Sequence, residues 1–256
     1  MLGEARRLRL VTGDEVPVIV HAASGVSTRP KCLLLHGNPG SLCDWAQLIP
    51  ELEGTADIAA LDLPGFGRSL RHDPSARGVG LAALSNAALA TLDALGWSEP
   101  CFLIGHSHGA AVAQTLAAMH PERIAGIVLL ASLGAPAHAG YRLLGLPGVL
   151  LLARFASWLF RAHSLLSVVQ VVQERPCELI WQAAPRVRCP TLFIHGERDA
   201  LVPARFARAI HACILGSGGD STFETLPRAG HLLPKQQAPQ LAERITVFLG
   251  RYALSR

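Results

Sequence analysis

Cys101-Phe102-Leu103-Ile104-Gly105-His106-Ser107-His108-Gly109-Ala110-Ala111 is the stretch that decides the fold of this chain. Four residues suited to a buried strand run into Gly-x-Ser-x-Gly, and small helix-compatible residues follow. Strand, sharp turn, helix is the setting in which a serine hydroxyl is held out of a sheet. The glycines at 105 and 109 leave room for a turn whose central residue is strained. Alone, the pentapeptide also fits a plain glycine-rich turn, so its neighbours decide.

Outward from it, apolar runs alternate with helix-sized segments. Strands are expected at 8–11 and 16–21, at Lys31 to Leu35, at Asp57 to Leu61, at Ile127 to Ala131, at Pro190 to His195 and at Thr222 to Leu226. Their near-continuous apolar character suits strands covered on both faces. Helices are expected over Trp45 to Glu53, Gly80 to Leu95, Ala204 to Ile214 and Gln237 to Tyr252 by apolar spacing. The alternation predicts an α/β fold with a mostly parallel β-sheet flanked by helices. Residues 134–186 break it: they read as helical, strongly apolar and poor in acids. We expect an inserted helical cap there, on a single domain whose core is 1–133 and 187–256.

Half of the 256 residues are hydrophobic and 16% are charged, which excludes a disordered chain. The net charge of +4 comes almost wholly from scattered arginines, with Lys31 and Lys235 the only lysines. No basic stripe marks a nucleic-acid surface. The cysteines at 32, 43, 101, 177, 189 and 213 show no paired spacing, as expected for reduced, buried thiols of a cytoplasmic protein. No signal peptide is expected, and no apolar stretch reaches the ~18 residues of a membrane span. Leu143 to Ala153 comes nearest and is broken by Pro147.

A serine nucleophile needs a base, and the base needs an acid to orient it. In a parallel sheet these groups belong on loops at the carboxyl edge, after later strands. Asp199 follows the strand ending at His195, and His231 follows the last strand in Pro227-Arg228-Ala229-Gly230-His231. The order Ser107, Asp199, His231 is the one expected after such an elbow. Glu197 is the rival acid, with bracing of its turn as its other reading. His106 and His108 flank the serine and are not expected to fold back to it; His36 and His195 end strands. Two backbone donors for an oxyanion are expected at Asn38 and His108. The turn Asp62 to Ser69 is read as support beneath Ser107.

With these residues in view, the chain resembles an α/β-hydrolase over nearly its whole length. His36-Gly37-Asn38-Pro39-Gly40 resembles the family's oxyanion loop, Asp62-Leu63-Pro64-Gly65-Phe66-Gly67-Arg68-Ser69 its hallmark turn, and Gly105 to Gly109 its nucleophile elbow. The first of these, with Trp45 downstream, is also similar to the loop of haloalkane dehalogenases. Those enzymes and the epoxide hydrolases of this fold use an aspartate nucleophile, so Ser107 argues against both activities. The layout resembles serine hydrolases with a short helical cap: carboxylesterases, pimeloyl-carrier-protein methyl ester esterases and meta-cleavage C–C hydrolases. That resemblance implies hydrolysis of a carboxylic ester or thioester of an apolar small molecule, with no cofactor, no metal and no nucleic-acid partner. C–C hydrolysis, acyl transfer and a non-catalytic binding role on the same scaffold stay open. Trp45, Phe155 and Trp158 are expected to line an apolar substrate pocket. Stable membrane insertion is not expected, though the cap's apolar surface leaves peripheral contact open.

Overall fold

The computed structural model describes residues 6–11, 15–21, 27–71, 80–133 and 176–253. Eight strands form one sheet: β1 (Arg6–Arg9), β2 (Glu15–His21), β3 (Lys31–Leu35), β4 (Asp57–Leu61), β5 (Cys101–His106), β6 (Ile124–Leu130), β7 (Thr191–Gly196) and β8 (Ser221–Leu226). Their spatial order is β1-β2-β4-β3-β5-β6-β7-β8. Only β1 and β2 run antiparallel to their neighbours; β3 to β8 are parallel. The carboxyl ends of β3, β5, β7 and β8 therefore face the same edge, and every candidate residue but Trp45 and those of the expected cap lies there, on a loop or, for His108, at the start of a helix.

Period-2 alternation divides the core. Leu33, Leu35, Leu103 and Leu129 face one side, where α2 (Leu81–Ala94), α3 (His108–Met119), α4 (Pro176–Ala183) and α5 (Ala204–Gly216) contribute to the same apolar cluster. Leu34, Ile104, Val128 and Leu130 face the other side, covered by α1 (Leu48–Leu52), α6 (Leu233–Gln236) and α7 (Ala238–Ala253). The central strands are apolar at nearly every position because both faces are covered.

Three local expectations need correction. The first strand lies at 6–9 instead of 8–11, since its antiparallel register pairs Arg6 with Val18 and Leu8 with Val16 and leaves Val11 exposed. The helix expected over Trp45 to Glu53 is a 3-10 turn, Leu42–Trp45, followed by α1. Ser41 starts that turn early: its Oγ accepts the Cys43 N–H, and the Asp44 carboxylate accepts the Ser41 N–H. The thiols are all free, but only Cys32, Cys101 and Cys189 are buried, and Cys43 is exposed.

Of the expected insertion, 134–175 lies outside the described residues, and with it the pocket residues Phe155 and Trp158. Residues 176–186 form α4 and a 3-10 turn that pack against the flank of the sheet, burying Ile180 and Ala184. The Gln114 side chain on α3 donates from Nε2 to the Ile180 carbonyl, 2.8 Å away, and anchors this return of the chain to the helix that follows Ser107. Among the described residues no helix is long and apolar enough to cross a membrane.

Candidate active site

Ser107 stands between β5 and α3 with φ 52° and ψ −112°, a backbone conformation that L-residues rarely adopt. The turn is as tight as the glycines suggest: a Cβ at Gly105 would lie 2.6 Å from Ala110 N, and one at Gly109 2.5 Å from the His36 carbonyl oxygen. The Ser107 N–H donates to Leu130 O at 2.8 Å, tying the elbow to the end of β6. Strain held this firmly fixes the direction of the hydroxyl.

The hydroxyl Oγ is 3.1 Å from His231 Nε2, and His231 Nδ1 is 2.8 Å from Asp199 Oδ2. Asp199 is acceptor-only as a carboxylate, so Nδ1 carries the proton and Nε2 is free to accept one from Ser107. The Asp199 Oδ1 atom accepts the N–H groups of Leu201 (2.9 Å) and Val202 (2.8 Å). Burial pushes the Asp199 carboxyl up, but hydrogen bonds from His195, His231 and the Val202 amide outweigh it and hold the group well below the usual carboxylate range. Glu197 does not reach His231; its carboxylate accepts the Arg228 N–H at 3.0 Å and braces the turn.

The oxyanion-loop candidates lie against the elbow. A Cβ built on Gly37 would stand 3.3 Å from Ser107 Cβ. His108 opens α3, where the first amides of a helix have no intrahelical acceptor and favour an anion. Asn38 precedes a cis peptide bond to Pro39, and its Oδ1 is buried without a hydrogen-bond partner. Both ring nitrogens of His108 are buried without partners as well. Trp45, expected in the pocket, is wholly buried in the apolar cluster shared with α1. The Asp62 turn is structural: the Asp62 carboxylate accepts the N–H of Leu42 at 2.6 Å and of Arg68 at 2.7 Å. An ion pair of 2.7 Å between Asp44 and Lys235 spans from the oxyanion-loop side to the segment after His231.

Four further histidines surround this arrangement, and three have chemically forced tautomers. His36 Nε2 accepts the Leu63 N–H at 3.0 Å, so its Nδ1–H donates to Gly37 O at 2.7 Å. His106 Nε2 is 2.9 Å from the His231 carbonyl oxygen, which only accepts, so His106 donates and holds the main chain of the candidate base. His195 Nε2 lies 2.7 Å from Val202 O and 3.3 Å from Asp199 Oδ2, so it too is a donor. Burial pushes His106 and His108 down to about 4 and lowers His36, so these rings are neutral near pH 7.

Sequence reasoning passed over His106 and His195. For His195 a signal existed: it is two residues from core Phe193 on the same strand and four before Asp199, hence inward and near the acid. Exposed Leu201, two residues after Asp199, and Leu232, directly after His231, were also missed; they give the rim of the site an apolar character. No cluster of His, Cys, Asp or Glu suited to a metal ion occurs among the described residues.

The arrangement can deprotonate a hydroxyl, orient the resulting imidazolium and offer amides to an oxyanion. Over residues 33–151 the sequence matches the family model described as alpha/beta hydrolase fold. The chain is similar to epoxide hydrolase B of Mycobacterium tuberculosis strain H37Rv, at 38% identity over 120 residues, 46% of this chain and 32% of that protein. It is similar also to the dihydrolipoyllysine-residue acetyltransferase component of the acetoin cleaving system of Pseudomonas putida, at 29% identity over 86% of this chain and 63% of that one. The chain thus spans about a third of the first relative's length and under two thirds of the second's. The crystal structure of haloalkane dehalogenase DbeA from Bradyrhizobium elkani USDA94 superposes with a TM-score of 0.79 at 19% identity, covering 99% of each chain. With the matching family model, a shared sheet topology and the elbow at the end of β5, the chain has the α/β-hydrolase fold.

Proposed function

We propose that this chain is a serine hydrolase that cleaves a carboxylic ester or thioester of a largely apolar small molecule through an acyl-enzyme on Ser107. The observation that carries this reading is the continuous relay from Ser107 Oγ through His231 to Asp199, at 3.1 and 2.8 Å, beneath a serine in a strained elbow. His231 takes the serine proton as Oγ attacks the carbonyl carbon, and Asp199 stabilises the imidazolium. The amides of Asn38 and His108 receive the developing oxyanion, and the proton on His231 then leaves with the alcohol or thiol. Water, deprotonated by His231, attacks the acyl carbon and frees Ser107. Exposed Leu201 and Leu232 support an apolar substrate.

A serine at the elbow favours acyl chemistry over epoxide opening or dehalogenation, the activities in the names of two of the proteins above. The Pseudomonas putida relative favours one second reading, transfer of the acyl group to an acceptor other than water. The six free thiols support a reducing, cytoplasmic setting; burial raises the Cys101 thiol to about 12 and the Cys177 thiol to about 11.

A p-nitrophenyl ester assay on the parent and Ser107→Ala tests the proposal, with fluorophosphonate labelling beside it. Turnover should fall by about 10³-fold or more and labelling should vanish. Activity surviving in Ser107→Ala would overturn the assignment, and a parent that neither labels nor turns over would leave a binding protein. Products trapped with added alcohol, and a dienoate ring-fission substrate, separate transfer and C–C cleavage from hydrolysis.

A further inference from the structure

We propose that His195 is a positioning residue for the candidate base, a second imidazole that shares Asp199 with His231 and sets both the direction and the strength of the His231–Asp199 hydrogen bond. This rests on the Ser107–His231–Asp199 reading. The geometry is specific. Asp199 Oδ2 lies 2.8 Å from His231 Nδ1 and 3.3 Å from His195 Nε2, while its other oxygen is saturated by two amides. His195 Nε2 faces only acceptors, the carboxylate and Val202 O at 2.7 Å, so it carries a hydrogen whether the ring is neutral or charged. That hydrogen bonds chiefly to Val202 O and ties the end of the acid turn back to β7, with Oδ2 as its longer, second acceptor on the His231 side.

The ring cannot turn away. It is 1% exposed and stacks on Phe223 of β8, with centroids 6.3 Å apart and planes 15° apart. Phe223 is itself stacked on Phe193 and covered by the Arg208 guanidinium, 4.2 Å from the ring centre. A polar ring clamped this tightly beside a buried carboxylate does more than fill space: a phenyl ring of similar volume would pack as well and donate nothing.

Two consequences follow from sharing one oxygen between two donors. The acid holds its rotamer without help from His231, so the base can rotate toward substrate and return. The carboxylate's charge is also shared between two imidazoles, so it is not spent on His231 alone. The other polar groups around the pair are His106, whose ring centre is 5.0 Å from that of His231, Ser107, Glu197 bonded to the Arg228 N–H, Arg198, and the Asp44–Lys235 ion pair.

His195→Phe keeps the ring and its stack but removes the donor; His195→Gln keeps an N–H near the Nε2 position and loses the stack. We expect His195→Phe to lose about tenfold in kcat with KM within about twofold, and to raise the acid-limb pKa of kcat/KM by about half a unit. His195→Gln should retain kcat and pH profile near the parent despite a lower Tm. A merely structural ring predicts the reverse order, Phe mild and Gln harmful; that order, or a parental pH profile in His195→Phe, overturns the proposal. Proton NMR of the whole chain reads the same point without turnover. The His231 Nδ1–H resonance and His231 pKa should move in His195→Phe and not in His195→Gln. Failure of the triad reading looks different: the parent itself would neither turn over esters nor label at Ser107.

Discussion

Acid should unfold this protein well above the pH at which carboxylates protonate, because the nucleophile elbow is packed between buried neutral histidines. His106 and His108 are pushed down to about 4 by burial, with His231 and His36 nearby adding to the effect. In the unfolded chain each ring titrates near 6.5, so between these values the unfolded state binds more protons and stability falls as pH falls. Each ring accounts for about 3 kcal/mol over the full window, at 1.36 kcal/mol per pKa unit. At pH 5 each takes up about 0.9 proton on unfolding, giving a slope near 2 kcal/mol per pH unit for the pair. His36 adds to the same sign. The Asp199 contribution, by contrast, is present above the ordinary carboxylate pKa and is lost only at lower pH, so it does not overlap. Urea midpoints followed by far-UV circular dichroism between about pH 7 and about pH 4.5 measure the slope. His108→Leu removes one titrating ring and two unpartnered nitrogens, so it should lower the slope by about 1 kcal/mol per pH unit and raise stability at pH 5. A flat midpoint in the parent, or an unchanged slope in His108→Leu, would refute the reasoning.

Exchanging the two acids separates their roles. Asp199→Asn should cost about 10³-fold in ester kcat by favouring the wrong His231 tautomer, whereas Glu197→Gln, which touches only the Arg228 N–H, should stay within about threefold. A chain-length series of p-nitrophenyl esters should show kcat/KM rising from acetyl to hexanoyl, by up to about fourfold per methylene. Leu232→Ser, at the rim, should flatten that rise, and a flat series in the parent would remove the apolar pocket.

The sheet was legible because its central strands are buried on both faces and read as nearly unbroken apolar runs; all eight strands fall within three residues of expectation at both ends, and β6 alone begins three residues early. Ser107 and Asp199 were legible as candidates because each follows such a run, and His231 because it follows the last strand on the same edge. The early turn at Leu42 was readable too: Ser41 and Asp44 are three residues apart, the spacing of a reciprocal cap, but the apolar period of the following segment drew attention away. What sequence could not supply is the role of His106, which acts on a carbonyl 125 residues away. Such a bond depends on the register of β5 against the loop after β8, which local pattern does not carry. Trp45 read as a pocket residue because tryptophan near an oxyanion loop suggests contact with substrate; apolar packing beside α1 claimed it first.

The acid turn and the base loop meet backbone to backbone. A Cβ at Gly196 would collide with the carbonyls of Gly230 and Ala229, and the N–H groups of Arg198 and Glu197 donate to Ala229 O and Leu226 O at 2.8 and 3.0 Å. Two loops some thirty residues apart are thereby one mechanical part, machined in main chain. The Arg198 and Arg228 side chains are exposed, whereas the Ala229 methyl is buried in the apolar cluster. An engineer could therefore recolour the rim of the cleft, reversing charge at Arg198 or Arg228, and change which substrates approach without disturbing the spacing of acid and base. Grafting either loop without the other would break the joint.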